Sequence, residues 1–208
     1  MTVFTRSILL LIVCVSSLFA QTETQRPRIM GVAHVGIYAN DLDRTRVFYK
    51  DLLGFEEPFS LKRNDGSEWI VYIKVNEFQY IELFAERRRT GGPLGHFALY
   101  TDSVKRMKNY LESRGVEPVD DIHKGKAGNS FFTIKDPDGH TVEIMQYEPG
   151  SRTAESRGNF VPPGRVSGRI LHVGLRVKSV EVTERFYHDV LGFREFREPI
   201  SFPKQRGG

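Results

Sequence analysis

The chain has 208 residues, enough for one or two ordinary domains, and its 39% hydrophobic share is enough for a packed core. Charged residues make up 27%, an ordinary fraction that argues against disorder throughout. The net charge of +4 is spread along the chain, and the tight cluster Arg87-Arg88-Arg89 lies in a Gly/Pro-containing segment that reads as a solvated loop, so no nucleic-acid partner is expected.

Met1 to Arg6 supplies a short positive start, Ile8 to Val15 is an unbroken apolar run, and Ser16 to Ala20 precedes a polar stretch. That layout reads as a secretory signal peptide over 1–20, cut after Ala20, with an uncleaved anchor as the alternative. The apolar run falls short of the ~20 residues that span a bilayer, so no stable membrane span is expected after cleavage, and the protein is read as exported, periplasmic or extracellular. Cys14 is the only cysteine, so the exported chain would have neither a disulfide nor a thiolate ligand.

From residue 30 the pattern is strand, helix, then three strands. Met30 to Tyr38 alternates as a half-buried strand; Asn40-Asp41 caps a helix with apolar positions Leu42, Thr45, Phe48, Leu52 and Leu53, closed by Gly54. Phe55 to Lys62, Glu68 to Val75 and Gln79 to Ala85 read as strands, the first two joined by a turn at Asn64-Asp65-Gly66. A second unit follows: strand His96 to Tyr100, a helix from a Thr101-Asp102 cap to Gly115, and strands Val116 to Ile122, Phe131 to Lys135 and Thr141 to Tyr147. Gly125 to Ser130 and Asp136-Pro137-Asp138-Gly139 supply its turns.

The repeat is explicit. His34-Val35-Gly36-Ile37 through Phe48-Tyr49 to Gly54-Phe55 recurs as His172-Val173-Gly174-Leu175 through Phe186-Tyr187 to Gly192-Phe193, at a constant offset (172 − 34 = 138). The organisation is therefore α+β, with paired β-α-β-β-β modules at 28–86 and 94–148, a Gly/Pro/Ser/Arg-rich linker at 149–168, and at 169–208 the start of an incomplete third module. A unit without its last strands leaves an apolar helix face uncovered, which suggests a piece of a longer protein with four such units, or docking on a neighbouring chain in a homodimer.

Strand parity puts Val35, Ile37, Ile81, Leu83, Phe97, Leu99, Val142 and Ile144 toward the helices. The opposite face then carries His34, Glu82, His96 and Glu143, each near the centre of its own strand, and two such sheets would enclose a cleft. Two neutral imidazoles and two carboxylates suit a divalent ion, Zn, Ni, Co, Mn or Fe(II), with positions left for water. Burying two carboxylates without a cation would be costly. Tyr80, Phe84, Tyr100, Met145 and Tyr147, with Trp69 and Phe131 nearby, would line the wall around a small-molecule substrate, the plain alternative being core packing. His123, His140 and His188 fall outside the pattern and read as surface residues.

The first-strand His, the Phe-Tyr-x-Asp-x-Leu-Gly-Phe helix end and Asp136-Pro137-Asp138-Gly139-His140-Thr141-Val142-Glu143-Ile144 resemble the vicinal oxygen chelate superfamily over about residues 30 to 200. That superfamily includes glyoxalase I, extradiol dioxygenases, methylmalonyl-CoA epimerase and antibiotic resistance proteins. The resemblance to glyoxalase I implies a metal held by a His and a Glu from each module, His34, Glu82, His96 and Glu143, with spacings of 82 − 34 = 48 and 143 − 96 = 47. It implies a lyase or isomerase in which the metal chelates two neighbouring oxygens and Glu143 or Glu82 moves a proton between adjacent carbons. A ring-cleaving dioxygenase with Fe(II) on His34, His96 and Glu143, and a non-enzymatic small-molecule binder, are the alternatives.

Overall fold

A computed structural model describes residues 25–86 and 92–195; the stretch 1–20 read as a signal peptide and the arginine cluster lie outside the described residues. Eight strands form one curled mixed sheet in the order β2-β3-β4-β1-β5-β8-β7-β6. They are β1 Ile29–Tyr38, β2 Glu56–Lys62, β3 Glu68–Asn76, β4 Gln79–Phe84, β5 Leu94–Thr101, β6 His123–Lys124, β7 Ser130–Lys135 and β8 Thr141–Gln146. Each module contributes four strands with its first strand parallel to its last, and the modules join through an antiparallel β1–β5 ladder. The two expected sheets are thus one continuous sheet, because each module's first strand pairs on both sides and leaves no free edge at the junction.

Helix α1 (Leu42–Arg46) starts at Asp41, whose carboxylate accepts from Arg44 N, and continues as a π-helical turn over Val47–Leu52. Gly54, at φ +74°, ends it. The helix covers the outer face of the first half, where Leu42, Tyr49 and Leu53 pack on Val71, Ile73, Val75 and Leu83. Helix α2 (Val104–Ser113) covers the second half with Val104, Met107, Tyr110 and Leu111 on Phe97, Leu99, Phe132, Ile134, Val142 and Ile144. Its cap is Ser103, one residue after the expected Thr101-Asp102, because the β5 ladder runs on through Thr101.

The strand expected at 116–122 is absent. Pro118 cannot donate to a ladder, and Asp120 Oδ1 takes the Thr133 amide at 2.6 Å, so only His123 and Lys124 pair regularly with β7. The stretch after β8 runs across both halves. Helix α3 (Arg152–Glu155) has Ser151, Thr153 and Ser156 buried, and the wholly buried Lys74 donates to the carbonyls of Ser156 at 2.6 Å and Asn159 at 2.8 Å. Arg152 reaches the Ser60 carbonyl at 2.8 Å, so this segment straps the two ends of the sheet together.

The third copy begins without a strand. Among the described residues the segment around His172 joins no ladder; Ile170 is bonded to the Gln79 side chain instead, and Val173 and Leu175 pack on the core of the second half. Helix α4 (Val180–Arg185) and its π turn Phe186–Val190 reproduce α1, including the bond from Leu191 N to Phe186 O that matches Leu53 N to Phe48 O. This helix packs against the outer face of the second half, where Leu191 is fully buried and Tyr110 donates to the Val190 carbonyl at 2.8 Å. Among the described residues no helix is long and apolar enough to cross a membrane.

Candidate metal centre on the concave face

Four central strands aim their inward residues at one point. In the registers His34↔Ala98 and Gly36↔His96, the two imidazoles approach from antiparallel β1 and β5, while the parallel ladders bring β4 and β8 alongside with Glu82 and Glu143. Gly36 is required here: a Cβ at this position would collide with the His96 ring. Sequence parity thus agrees with the structure for all four residues.

The Nε2 atoms of His34 and His96 lie 2.8 Å apart. Glu143 faces both, at 3.7 Å from His34 Nε2 and 3.8 Å from His96 Nε2. Glu82 approaches as closely but meets His34 at its other nitrogen, with Oε1 3.5 Å from His34 Nδ1 and Oε2 3.8 Å from His96 Nε2. One donor atom each from His34, His96 and Glu143 falls within 4.8 Å of the others, a grouping that could hold a metal ion.

Burial dominates the electrostatics. It pushes Glu82 up to about 8, opposed by the hydrogen bond from Tyr72. It raises Glu143 well above the carboxylate range, reinforced by the charges of Glu82 and Asp120. Burial lowers His96 to about 4, and lowers His34 well below its usual value with His96 adding to the effect. The protein alone therefore favours neutral imidazoles and disfavours the two carboxylate charges it has buried. Lys126 is the one Lys or Arg among the described cavity-lining residues, and its ammonium sits over the Trp69 ring at 4.7 Å. A divalent cation at the centre supplies the missing positive charge, so the donor set fits a hard or borderline metal.

The surrounding cavity, about 200 Å³, is lined by Tyr80, Phe84, Met145 and Tyr147 as expected from the sequence, and also by Trp69 and Phe131. Tyr100 is a correction: it stacks on Phe78 at 6.0 Å and lies edge-on to Tyr147, outside the cavity wall. The β5 strand runs past the cavity's end there, so parity alone does not secure a place on the wall. Sequence reasoning missed Tyr72, Asn129 and Thr153. Tyr72 was accessible through the β3–β4 hairpin register, which sets it opposite Glu82; Thr153 arrives on the strap, which no periodicity announces. His123 and His188 are exposed as expected, whereas His140 is half-buried and bonded to Asp136 at 2.8 Å.

A paired β-α-β-β-β half-barrel with an inward His/Glu cluster defines the class of fold. A family model described as the Glyoxalase/Bleomycin resistance protein/Dioxygenase superfamily matches residues 31–144, and the chain belongs to that superfamily. It is 26% identical over 179 residues to the lactoylglutathione lyase GLX1 of Arabidopsis thaliana, covering 79% of this chain and 56% of the relative. Over 158 residues it is 26% identical to glyoxalase I of Saccharomyces cerevisiae, covering 76% of this chain and 44% of the relative. The chain thus spans about half the length of these curated relatives. Among solved structures, the Mn(II)-bound glyoxalase from Novosphingobium aromaticivorans superposes with a TM-score of 0.61 at 22% identity, over 81% of this chain and 54% of that one. Methylmalonyl-CoA epimerase from Mycobacterium tuberculosis does so with 0.51 at 24% identity, over 58% of this chain and 90% of that one.

Proposed function

We propose that the protein is a metal-dependent lyase or isomerase of glyoxalase type, acting on a small substrate with two vicinal oxygens. The observation that carries this reading is the convergence of two buried imidazoles with two buried carboxylates, one of which is left for proton transfer after a metal takes its donors. His34, His96 and Glu143 would hold the ion, with Glu82 beside them. A bound divalent cation supplies Lewis-acid polarisation of a substrate oxygen pair. The chain's own residues do the rest: Glu82 accepts and returns a proton between adjacent carbons, and its raised affinity for protons suits that role. Trp69, Phe84, Phe131 and Met145 exclude water from the reacting end, and the 200 Å³ volume favours a compact substrate. The name of the Arabidopsis relative, a lactoylglutathione lyase, supports a lyase, and the yeast relative is named glyoxalase I.

The test is metal quantification on the purified full chain, followed by solvent-deuterium incorporation into small hydroxy-carbonyl compounds with the metal restored. Stoichiometric Mn, Co, Ni or Zn with label at the carbon next to a carbonyl is the expected result. A second reading is favoured by the His34, His96 and Glu143 grouping, which is the donor set a ring-cleaving dioxygenase would use. Fe(II) with oxygen uptake would select it, and a protein that binds small aromatics without metal would overturn both. Export is part of the proposal; a secreted product beginning at Gln21 is the result expected from N-terminal sequencing.

A further inference from the structure

Each half of the sheet places a lysine and a hydroxyl residue side by side next to its carboxylate, and only one of the two pairs is covered. Lys74 pairs with Tyr80 across β3–β4, and Lys135 pairs with Thr141 across β7–β8. The positions are equivalent: each lysine stands eight residues before its carboxylate (82 − 74 = 8; 143 − 135 = 8) and each partner two (82 − 80 = 2; 143 − 141 = 2). Lys74 shares the concave face with Ile70 and Tyr72, which line the cavity, so an open cleft would leave its ammonium in water. Instead Lys74 is 0% exposed and Tyr80 1%, whereas Lys135 is exposed and donates to the Thr141 hydroxyl at 2.6 Å.

The cover on the first pair is the strap, residues 148–159. Lys74 donates to the carbonyls of Ser156 and Asn159 and to Glu77 at 3.1 Å, so the strap supplies two of the acceptors that a buried ammonium requires. The Tyr80 hydroxyl donates to the Thr153 carbonyl at 3.3 Å and lies 2.8 Å from the Ser156 hydroxyl. On its other side the strap rests on the turn at 125–129 of the second half. There Arg152 N donates to the Ala127 carbonyl at 2.9 Å and Asn129 Nδ2 to Thr153 Oγ1 at 3.0 Å, and a Cβ on Gly128 would come within 3.0 Å of Ser151 Cα. Since β1 and β5 are antiparallel and each is parallel to its module's last strand, Tyr80 and Thr141 sit at opposite ends of the cleft. The strap thus closes one end and not the other, and Thr153 is the residue it contributes to the cavity wall.

We propose that the strap is the specificity-determining wall of this site: it ends the cleft at Thr153, so that the substrates admitted are short vicinal-oxygen compounds with no long tail on the Thr153 side. The proposal rests on the metal-dependent reading above. The enclosed volume of about 200 Å³ is below the roughly 300–1,000 Å³ of sites for drug-sized ligands. Lys74 is a positioning residue that holds the wall through the Ser156 and Asn159 carbonyls, and the Thr153 side chain meets the far end of the substrate. With the strap lifted, the floor of the cleft would run on past Tyr80 to Lys74, as it runs on to Lys135 at the opposite end.

Full-length wild type, Thr153→Ala and Lys74→Met are loaded with Co(II), whose visible absorption follows the binding of straight-chain hydroxamates from acetohydroxamate to octanohydroxamate. These compounds chelate a metal through two neighbouring oxygens and differ only in the length of the tail. In an open apolar cleft each added CH₂ strengthens binding about fourfold. Wild type is expected to lose that gain once the tail meets the wall, with octanohydroxamate about tenfold or more weaker than the best-bound shorter homologue. Thr153→Ala is expected to move the break to a longer tail, and Lys74→Met to restore the gain up to the longest. Wild-type affinity that climbs through octanohydroxamate overturns the proposal, whether or not the variants fold. A folded Thr153→Ala or Lys74→Met protein that breaks at the same carbon as wild type overturns it equally. Wild type that binds no Co(II), or binds it and takes no acetohydroxamate, overturns the metal-dependent vicinal-oxygen reading and this inference with it, whereas the first two outcomes leave that reading standing.

Discussion

In the first half of the sheet the imidazole of His34 lies over Ala98 and is almost wholly buried, and Tyr72 stands across from Glu82 on the neighbouring strand. In the second half His96 lies across Gly36, where a side chain would strike it, and Glu143 is met by Thr133, which bonds elsewhere. The outer faces differ as well. The first half leaves Phe48 and Leu52 of the α1 helix exposed, whereas the second half is covered by the third copy, with Leu191 sealed inside its core. Two modules of the same topology thus differ in the neighbours of their carboxylates and in the cover of their outer faces, and the proposed division, with Glu82 as proton acceptor and Glu143 on the ion, would rest on that difference. Near-symmetry of the backbone fixes where the four groups point.

The strongest way to break that division is Glu143→Gln. Structural metal sites hold roughly 10–16 kcal/mol across about four donors, so losing one charged donor should weaken Mn(II) binding on the order of a thousandfold. The metal-free variant should melt no lower than wild type, because an amide replaces a carboxyl whose ionisation burial already opposes. Competition titration and thermal unfolding check both halves of this expectation, and a loss below about tenfold would mean Glu143 is not a ligand. The outer faces are compared by Leu191→Ala and its repeat partner Leu53→Ala. The first removes a fully buried side chain and should cost about 3 kcal/mol; the second, half-buried, should cost about 1 kcal/mol. Equal losses in denaturant unfolding would show that the third copy adds nothing to the second half's core.

Much of the site was legible because strand alternation is a strict period. Once Val35, Ile37, Leu83 and Val142 are assigned to the helix side, His34, Glu82, His96 and Glu143 have to share the other. The junction between modules was not legible: a β1–β5 ladder depends on partners far apart in the chain, as in the pairing of Gly36 with His96 (96 − 36 = 60), and no local pattern encodes it. The edge strand near 116–122 failed because Pro118 and the Asp120 side chain replace ladder bonds. The strap failed for the opposite reason: a Gly/Ser/Pro-rich composition reads as a spacer, yet Ser151, Thr153 and Ser156 satisfy one another and Tyr80 in the interior. Helix α4 was read correctly as a repeat of α1, but where it would dock could not be derived from its own apolar face.

The seating of the two imidazoles can be sharpened with a pair of one-atom changes. Gly36→Ala puts a methyl group into the His96 ring and should move it off the centre, lowering metal affinity about tenfold, as disturbed support of a ligand does. The mirror change, Ala98→Gly, leaves His34 in place and should cost only about 1 kcal/mol of stability with unchanged affinity. If the two variants bound Mn(II) equally well, the asymmetry between the imidazoles would have no functional weight.

The smallest effect concerns how the third copy is tied to the second half. Asp138, in the β7–β8 turn, accepts from Lys178 N at 2.9 Å and from the Thr183 hydroxyl at 3.0 Å. The Lys178 amide is the main cause that holds its carboxyl below the usual range, with Thr183, Lys178 and His140 contributing in the same direction. A carboxylate lowered in the folded state stabilises the protein above its unfolded pKa, and that contribution disappears as pH falls through the folded value. Asp138→Ala should therefore melt slightly below wild type at neutral pH, with the gap closing in acid. Asp136, buried beside it and bonded to His140 and Tyr187, is present in both proteins and cancels from the difference. The first half has no third-copy helix to hold, so removing Asp65, which bonds only within its own turn to Ser67, should leave α4 protection in hydrogen exchange unchanged, whereas Asp138→Ala should lower it. A melting gap that stayed constant from neutral to acid pH would mean that the contact works through shape and not through charge.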